Sequence, residues 1–340
     1  MNIPQFDKNT IIGNLRQDIR QLLASDSHYA IVDSNLYQLY PALFEGTCPY
    51  IVTSGEQSKT INTVHDIILD MLERNCNRDT TVLSIGGGTV SDIAGFVASI
   101  YMRGVDWICV PTTLLAQVDA SSGGKTGVNV FNYKNMIGSF WLPKVVLCDI
   151  TLLASLPQRE WLSGIGEIVK TSLLNAELWE YLNANLNQLV DRQADVISDI
   201  VNACISIKSS IVALDLHDVG ARRNLNLGHT MGHALETCGE FELSHGEYVL
   251  LGITLESMLF AEYINPEYLD NIRLLLSKVA PTMPKLDLDK IVAIASKDKK
   301  NKSDKIVFVV PVDIGQVQHL EMSQLQLKQN LKEIIKNNLL

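Results

Sequence analysis

Short apolar runs alternate with stretches of helical periodicity through the first half of the chain. The runs are closed by turn residues and have the texture of buried strands. They are Tyr29–Asp33, Tyr50–Thr53, Thr81–Ile85, Trp107–Val110 and Val145–Asp149. Between them, residues 61–72 have the spacing of an amphipathic helix. Strand and helix in succession predict an α/β domain with a parallel sheet, which binds ligands at the carboxyl ends of its strands.

The texture of the chain changes near residue 156. The predicted elements that follow are two long helices, a returning strand and a last helix, over residues 173–189, 194–214, 305–311 and 325–335. With 340 residues, the chain exceeds what one hydrophobic core usually serves. We therefore expect an α/β domain over residues 1–155 and a mainly α-helical domain over residues 156–340.

Composition and charge narrow the class of protein. Hydrophobic residues make up 46% of the chain, charged residues 19%, and the formal net charge is -10. A nucleic-acid role is not expected, because neutralising phosphates needs a surplus of Lys and Arg. The six cysteines form no Cys-x-x-Cys pair, which favours reduced thiols. The N-terminus has no signal-peptide pattern and no uninterrupted apolar run reaches transmembrane length, so we expect a cytoplasmic protein without membrane contact.

Two glycine-rich runs suggest anion binding. The first, Ser-Ile-Gly-Gly-Gly-Thr-Val-Ser-Asp at residues 84–92, ends a predicted strand and opens a helix, whose N-terminal amides favour a phosphate. It is not the Gly-x-Gly-x-x-Gly fingerprint, and taken singly such a run is more often a simple turn. The second, at residues 121–127, has Ala120 where a Walker loop needs its first Gly, so a Walker-type ATPase is not expected.

A pair of histidines one helical turn apart gives the strongest chemical signal. His229 and His233 leave the same face of a predicted helix, and His245 and Glu167 supply a further imidazole and a carboxylate. Such a set is typical of a catalytic zinc-type centre with an open position, although a lone His pair is more often a coincidence. The flanking glycines indicate that a ligand or another backbone approaches closely. The spacing does not decide which His is not a ligand.

Polar and cationic residues outside this cluster suggest an anionic substrate. Lys125, Lys134 and Asn135 fall in predicted loops, where a structural role would not need them. Further cations lie near glycines or near the metal candidates, at Arg103, Lys170, Lys208, Arg222, Lys299 and Lys300. Any one Lys is more often a solvated surface residue. Together with a metal site and a nucleotide loop, they predict a small, multiply anionic substrate.

Nearly the whole chain resembles one family, 3-dehydroquinate synthase. The resemblance lies in five blocks that occur in the same order, over residues 86–92, 111–129, 134–138, 167–170 and 226–233. It implies an N-terminal nucleotide-binding domain with a parallel sheet and a helical C-terminal domain that binds metal and substrate. It also implies that Glu167, His229 and His245 hold a divalent metal, zinc or cobalt, while His233 faces the substrate as a proton-transfer group.

The resemblance further implies NAD as cofactor, bound by the first domain. The matching positions are Asp33, Ser54, Gly55, Glu56, Gln57, Ser58, Lys59, Gly86, Gly87, Gly88, Thr89, Val90, Ser91, Asp92, Thr112, Thr113, Lys125, Lys134, Leu152, Leu153, Ala154 and Ser155. Asp33 is similar to the acid that binds a ribose in the family. NAD is expected to be regenerated in each turnover.

For the substrate, the resemblance implies a phosphorylated sugar acid, 3-deoxy-D-arabino-heptulosonate 7-phosphate. Its matching positions are Asp119, Lys125, Asn135, Lys170, Lys208, Arg222, Asn226, His233, one of Lys299 and Lys300, and Arg103 contributed by a neighbouring subunit. Asp218 is a further catalytic candidate, at a position where the family usually has Glu. Lys170 and Asp119 would orient hydroxyls. Arg222 and Lys208 would bind the carboxylate, and Lys125, Asn135 and Arg103 the phosphate. A shared site implies a homodimer.

The implied reaction yields 3-dehydroquinate and phosphate, in the shikimate route to chorismate and aromatic amino acids. It proceeds by NAD-mediated oxidation, phosphate elimination, reduction and intramolecular aldol closure. The chain departs from the family at Asp218, where members usually carry Glu, and at Leu216, often an acid. The alternatives are a sister sugar phosphate cyclase, a metal-dependent alcohol or glycerol dehydrogenase, and a non-catalytic relative. Lys208 and Arg222 together favour the dehydroquinate reaction, because the sisters lack the carboxylate or change its neighbours.

Overall fold

The computed structural model describes residues 10–131, 133–239, 242–285, 287–297 and 305–337. Within them, backbone contacts divide the chain into two compact units. The sheet unit runs up to Pro157 and includes Arg192–Val212. The helical unit comprises Gln158–Asp191 and the described residues from Ala213 onward. The domain boundary expected after residue 155 stays a prediction, and the division above places a later helical segment with the sheet unit.

The sheet unit confirms the predicted α/β fold. Its strands are β1 (Thr10–Gly13), β2 (His28–Asp33), β3 (Tyr50–Val52), β4 (Thr81–Gly86), β5 (Trp107–Pro111), β6 (Lys125–Val130), β7 (Tyr133–Phe140) and β8 (Val145–Asp149). Six of these described strands form one parallel sheet in the order β1-β8-β5-β4-β2-β3. All five predicted strands are among them. The sequence prediction missed the edge strand β1.

Helices cover both faces of this sheet, which explains why its strands read as continuous apolar runs. The helices before residue 101 are α1 (Arg16–Leu23), α2 (Ser34–Leu39), α3 (Ile61–Glu73) and α4 (Gly88–Ile100). Ile19 of α1 and Leu36 of α2 join a core with Leu83 and Val110. On α4, Gly95 lies against the Trp107 indole of β5. The structure confirms the helix predicted over residues 61–72.

A hairpin of the sheet unit corrects one prediction. Lys125, Lys134 and Asn135 were expected in loops, but they lie in β6 and β7, which pair antiparallel. The Gly127–Gly138 pair explains the difference. These residues face each other across the hairpin, and a Cβ on Gly138 would lie 2.2 Å from the Thr126 carbonyl oxygen. The glycines therefore serve strand pairing, although they resemble turn residues in the sequence.

Helices dominate the rest of the chain. They are α5 (Gln158–Ser172), α6 (Ala176–Val190), α7 (Ala194–Leu214), α8 (His229–Cys238), α9 (His245–Leu259), α10 (Pro266–Val279), α11 (Leu288–Ala295) and α12 (Gln324–Lys336). The strands β9 (Lys305–Asp313) and β10 (Gln316–Ser323) form an antiparallel pair. The helix predicted from Leu173 begins at Ala176, because the Asn175 side chain accepts from the Leu178 N–H at 2.9 Å and caps α6.

The helix α7 belongs to the sheet unit for most of its length. By length and composition it could cross a membrane, but 61% of its apolar window is buried inside the protein. Burial of this kind is typical of a core helix.

Candidate active site

Three helices of the helical unit bring the predicted metal ligands together. Glu167 lies on α5, His229 begins α8, His233 follows one turn later, and His245 begins α9. The three histidines offer ring nitrogens that all lie within 4.8 Å of one another. The Glu167 carboxylate oxygen Oε1 lies 3.6 Å from Nε2 of His229 and 3.3 Å from Nε2 of His245. One carboxylate and three imidazoles thus converge on one point.

Glycines allow these helices to approach so closely. A Cβ on Gly246 would lie 1.9 Å from the carbonyl oxygen of Ser163, which is one turn before Glu167 on α5. A Cβ on Gly252 would lie 1.9 Å from the Gly228 carbonyl oxygen, at the start of α8. Neither position has room for any side chain. The glycine between His229 and His233 behaves alike, because a Cβ on Gly232 would lie 2.9 Å from the Tyr248 carbonyl oxygen. Another backbone approaches it, which is one of the two alternatives that the sequence left open.

The orientation of the imidazoles suits metal binding. The Leu227 carbonyl oxygen lies 3.0 Å from Nδ1 of His229, and when this nitrogen donates to it, Nε2 presents a lone pair towards Glu167. Glu236 Oε2 lies 3.7 Å from Nδ1 of His245, whose Nε2 also faces Glu167. Carbonyl and carboxylate partners on the far ring nitrogen are the usual support of a metal-binding His.

The charged groups around Glu167 keep its carboxylate ionised, the form that binds a cation. Burial raises the pKa of the Glu167 carboxyl, but the Lys170 ammonium, 2.5 Å from Oε2, and the nearby imidazoles hold this pKa well below its usual range. Burial lowers the pKa of His229 well below its usual value. Burial also opposes protonation of His245, but the Glu167 and Glu236 carboxylates outweigh it and raise the pKa of His245 to about 10. A cation arriving at this cluster would compete with the proton of His245.

His233 differs from the other two histidines in exposure. Its side chain is exposed, whereas His229 and His245 are partly buried. The ring nitrogens of all three lie close enough to share one ion, so their spacing alone does not separate ligand from proton-transfer group. The assignment of Glu167 with His229 and His245 as ligands stays a prediction.

A loop before α8 carries the predicted carboxylate-binding arginine. Arg222 is buried, and its Nη1 donates to the Leu216 carbonyl oxygen at 2.7 Å. The Asp215 carboxylate accepts three backbone N–H groups of the loop, from Val219, Gly220 and Arg222, at 3.0, 2.6 and 3.1 Å. Burial would raise the pKa of Asp215, but these bonds lower it below its usual value. The loop is therefore fixed by an ionised side chain.

Two more predicted substrate residues lie in this loop or directly after it. Asp218 has a left-handed backbone, with φ +61°, which Asp tolerates better than most residues. Asn226 donates from its amide nitrogen to the Arg223 carbonyl oxygen at 3.0 Å. Lys299 and Lys300 lie outside the described residues.

In the sheet unit, the predicted cofactor residues gather where the parallel strands end. Ser54, Gly55, Glu56, Gln57, Ser58 and Lys59 follow β3; Gly87 follows β4, Gly88–Asp92 begin α4, Thr112–Thr113 follow β5, and Leu152–Ser155 follow β8. Asp33, the last residue of β2, accepts at Oδ1 from the Ser54 hydroxyl at 2.6 Å and from two N–H groups of α2. A Cβ on Gly86 would lie 2.7 Å from Val90 Cβ, so this turn requires glycine.

A polar network connects cofactor candidates with one substrate candidate. Lys59 is buried, and its Nζ lies 2.5 Å from Asp92 Oδ2 and 2.5 Å from Asn135 Oδ1. The Asn135 N–H donates to Asn129 Oδ1 at 2.9 Å, and Asn129 donates in turn to Glu56 Oε1 at 2.8 Å. These bonds attach the hairpin to the ends of the parallel strands, where the predicted cofactor residues lie. The sequence pattern did not indicate this attachment.

A second ion pair holds Lys208 of α7. Its Nζ lies 2.9 Å from Asp119 Oδ1 and donates to the Asp119 carbonyl oxygen at 2.7 Å. Asp119 belongs to a wide helical turn, Ala116–Ala120, of the π type that is frequent at functional sites. The remaining candidates lie at exposed positions: Lys125 and Lys134 on the hairpin, and Arg103 after α4 with φ +71°.

Glu256 is a buried residue that the sequence analysis missed. It lies on α9 and accepts from the Gly228 and Met231 N–H groups at 3.1 and 2.9 Å, on either side of His229. The available signal was an isolated acid late in a helix whose preceding residues from Tyr248 are almost all apolar. Such an acid is rarely fully buried without partners.

Comparison with known proteins identifies the family. Models of the "3-dehydroquinate synthase N-terminal" and "3-dehydroquinate synthase C-terminal" families match residues 49–163 and 164–301. A 3-dehydroquinate synthase from Alkaliphilus metalliredigens (strain QYMF) is 41% identical over 313 residues, 88% of each chain. That of Alkaliphilus oremlandii (strain OhILAs) is 37% identical over 97% of this chain and 94% of its own.

A solved structure supports the fold. A 2-epi-5-epi-valiolone synthase from Streptomyces hygroscopicus subsp. jinggangensis 5008, with NAD+ and Zn2+ bound, superposes with a TM-score of 0.84 at 24% identity, over 99% of each chain. From its sequence relatives, the chain belongs to the 3-dehydroquinate synthase family.

Proposed function

We propose that the protein converts 3-deoxy-D-arabino-heptulosonate 7-phosphate to 3-dehydroquinate and phosphate, with catalytic NAD and a divalent metal, zinc or cobalt. The observation that carries this proposal is the convergence of Glu167 with three imidazoles in a member of the 3-dehydroquinate synthase family. Relatives with this name cover nearly the whole chain. The reaction belongs to chorismate and aromatic amino acid biosynthesis.

The donor set of the helical unit fits zinc or cobalt. Glu167, His229 and His245 would hold the ion, with imidazole nitrogens and a carboxylate oxygen of the kind that zinc prefers. When bound, the metal polarises hydroxyl oxygens of the substrate. His233, exposed beside the ligands, would move a proton at an imidazole nitrogen. Lys170 would orient a substrate hydroxyl while its ion pair keeps Glu167 ionised.

The sheet unit offers a fitting place for NAD. The backbone amides at the start of α4 would bind the pyrophosphate, where Gly86 and Gly87 keep the approach open. Asp33 uses Oδ1 to cap α2, so Oδ2 would accept from a ribose hydroxyl. When bound, NAD accepts a hydride and later returns it. Lys59 and Asp92 would fix the floor of this site through their ion pair.

The cations of each unit would bind the anionic ends of the substrate. In the helical unit, the buried guanidinium of Arg222 would bind the carboxylate, because its planar N–H donors match the two carboxylate oxygens. In the sheet unit, Lys125 and Asn135 would bind the phosphate and Lys208 would support the carboxylate. Guanidinium and ammonium groups suit these two anions.

We also propose a cytoplasmic homodimer. The β6–β7 hairpin exposes large apolar side chains, among them Phe131 at 96% and Tyr133 at 67% exposure. A second copy of the chain would cover them and bring Arg103 to the phosphate of its neighbour. All six cysteines are free, in keeping with a reducing compartment. Sedimentation equilibrium tests the dimer, and a monomer at micromolar concentration would refute it.

The decisive experiment measures phosphate release from 3-deoxy-D-arabino-heptulosonate 7-phosphate with catalytic NAD and zinc or cobalt, while NADH absorbance is followed in the same cuvette. Phosphate in many-fold excess over NAD, without accumulating NADH, is the expected result. Absence of phosphate release would refute this substrate and point to a sister cyclase, and net NADH from glycerol would point to a dehydrogenase. His229→Ala should lose metal and activity together, and retention of both would refute the ligand assignment.

A further inference from the structure

Both histidines that are candidate ligands are the first residues of their helices, His229 of α8 and His245 of α9. The N-terminus of a helix has unpaired N–H groups and the positive end of the helix dipole, which favour anions. A divalent cation beside such an end is disfavoured unless negative charge offsets it. The helix α8 therefore needs an acceptor and an anion at its first turn.

Glu256 meets both needs. Its carboxylate oxygens Oε1 and Oε2 accept from the N–H groups of Met231 and Gly228, at 2.9 and 3.1 Å, and its exposed fraction is 1%. Gly228 has no side chain to cap α8 itself. Its φ is +73°, and a Cβ there would lie 2.5 Å from Ile253 Cγ1. The cap must come from elsewhere, and it comes from α9.

We propose that Glu256 is a positioning residue of the metal centre. Its two charge-assisted bonds fix the first turn of α8 on α9, so that one side chain sets the spacing between His229 and His245. Its negative charge offsets the positive end of α8 beside His229. Burying a carboxylate costs free energy unless the carboxylate is paired, so a cap by Glu256 is an expensive way to satisfy two N–H groups. The helix α10 in the same unit is capped without a buried charge, by the side chain of its own N-cap residue, Asn265. The inference rests on the proposed metal centre.

The test compares metal binding by two variants. Glu256→Gln keeps the shape, loses the charge and leaves one of the two N–H groups facing an NH2 group. Asn265→Ala is the matched control, because Asn265 also accepts two helical N–H groups, at 3.1 and 3.3 Å, at the start of α10 in the same unit. The full chain, freed of metal, is titrated with Co2+ against a competing chelator, while its visible absorption spectrum is recorded.

We expect Glu256→Gln to weaken Co2+ binding about 10- to 100-fold and to change the visible spectrum, as losses of ligand-orienting partners do. Asn265→Ala should lower the melting temperature and leave affinity and spectrum unchanged. If Glu256→Gln binds Co2+ with the affinity and the visible spectrum of the unsubstituted chain, the inference is overturned. An equal loss of Co2+ affinity in both variants would also overturn it.

If Glu256→Gln does not fold, Glu256→Asp replaces it. The shorter carboxylate keeps the charge but cannot reach both N–H groups without moving α8, so affinity should again fall, by about 10-fold. Unchanged affinity in that variant would overturn the inference. Failure of the natural chain to bind Co2+ would instead refute the metal centre of the proposed function.

Discussion

Gly246→Ala should separate two of the proposed metal ligands, Glu167 and His245, without altering either side chain. The new Cβ would lie 1.9 Å from the Ser163 carbonyl oxygen, whereas Cβ atoms essentially never approach within 3.0 Å. The backbones of α5 and α9 would have to move apart by about 1 Å at this contact. Ser163 lies one turn before Glu167 and Gly246 directly follows His245, so the movement acts on both ligands.

The size of this displacement decides the outcome. Metal–ligand distances tolerate errors of about 0.2 Å, so a shift of about 1 Å exceeds the tolerance several-fold. We expect Gly246→Ala to weaken zinc or cobalt binding at least about 10-fold and to reduce turnover about 100-fold. Overpacking should also cost about 1–3 kcal/mol of stability.

The assay is chelator competition for Co2+ on the full chain, with phosphate release measured at saturating metal. Gly95→Ala is the matched control, because a Cβ there would lie 2.4 Å from Thr126 Cγ2 in the sheet unit. It should lower the melting temperature by overpacking but leave Co2+ affinity unchanged. Natural Co2+ affinity in Gly246→Ala would refute the reasoning that the α5–α9 approach sets the ligand spacing.

Three further predictions concern pH, an ion pair and a loop. Carboxylates raise the pKa of His245 in the folded protein to about 10, from an ordinary value near 6.5. Its contribution to the stability of the metal-free protein is therefore fully present below about pH 6.5 and is lost as pH rises through about 10. Urea unfolding across that range would detect the loss, and a flat stability profile would contradict the prediction. Lys208→Met should lower the free energy of unfolding by on the order of 2 kcal/mol, less than the loss of a fully buried pair would, because the Asp119 carboxylate is partly exposed. Denaturant unfolding measures this loss, with Asp119→Asn for comparison, and an unchanged free energy of unfolding would argue against a stabilising pair. Asp215→Ala should raise the KM for substrate about 10-fold with a smaller change in kcat, because it releases the loop that orients Arg222. Steady-state kinetics measures both constants, with Asp215→Asn for comparison, and an unchanged KM would show that the loop does not orient Arg222.

The strands were predictable where their burial is complete. In the parallel sheet, Thr81–Gly86 and Trp107–Pro111 are covered on both faces and read as apolar runs in the sequence. The strand Gln316–Ser323 was missed because half of its side chains are exposed and polar. The hairpin was missed because glycine and asparagine in residues 125–140 resemble turn residues. Pairing across the hairpin, which the local sequence does not reveal, decides that segment.

The sequence indicated the side chains of the site more readily than the tertiary contacts that hold them in place. The types and spacing of Glu167, His229, His233 and His245 indicated a metal cluster, because few structural roles need that set. Glu256 stands 20 residues or more from the N–H groups it binds, so no local pattern connects them. Its partners are backbone groups, which every residue possesses. The distinction between a ligand and its support thus follows the distinction between side-chain identity and tertiary contact.

The glycines beside the histidines show the same limit. Their helix-weakening effect indicated that something approaches closely, either a ligand or a backbone. At Gly232, between the two histidines of the pair, a Cβ would lie 2.9 Å from the Tyr248 carbonyl oxygen, so the approaching group is backbone. Contacts of this kind bring α8 and α9 together at main-chain atoms. The spacing of the candidate ligands is therefore set by helix packing, which is the condition for a preorganised metal site.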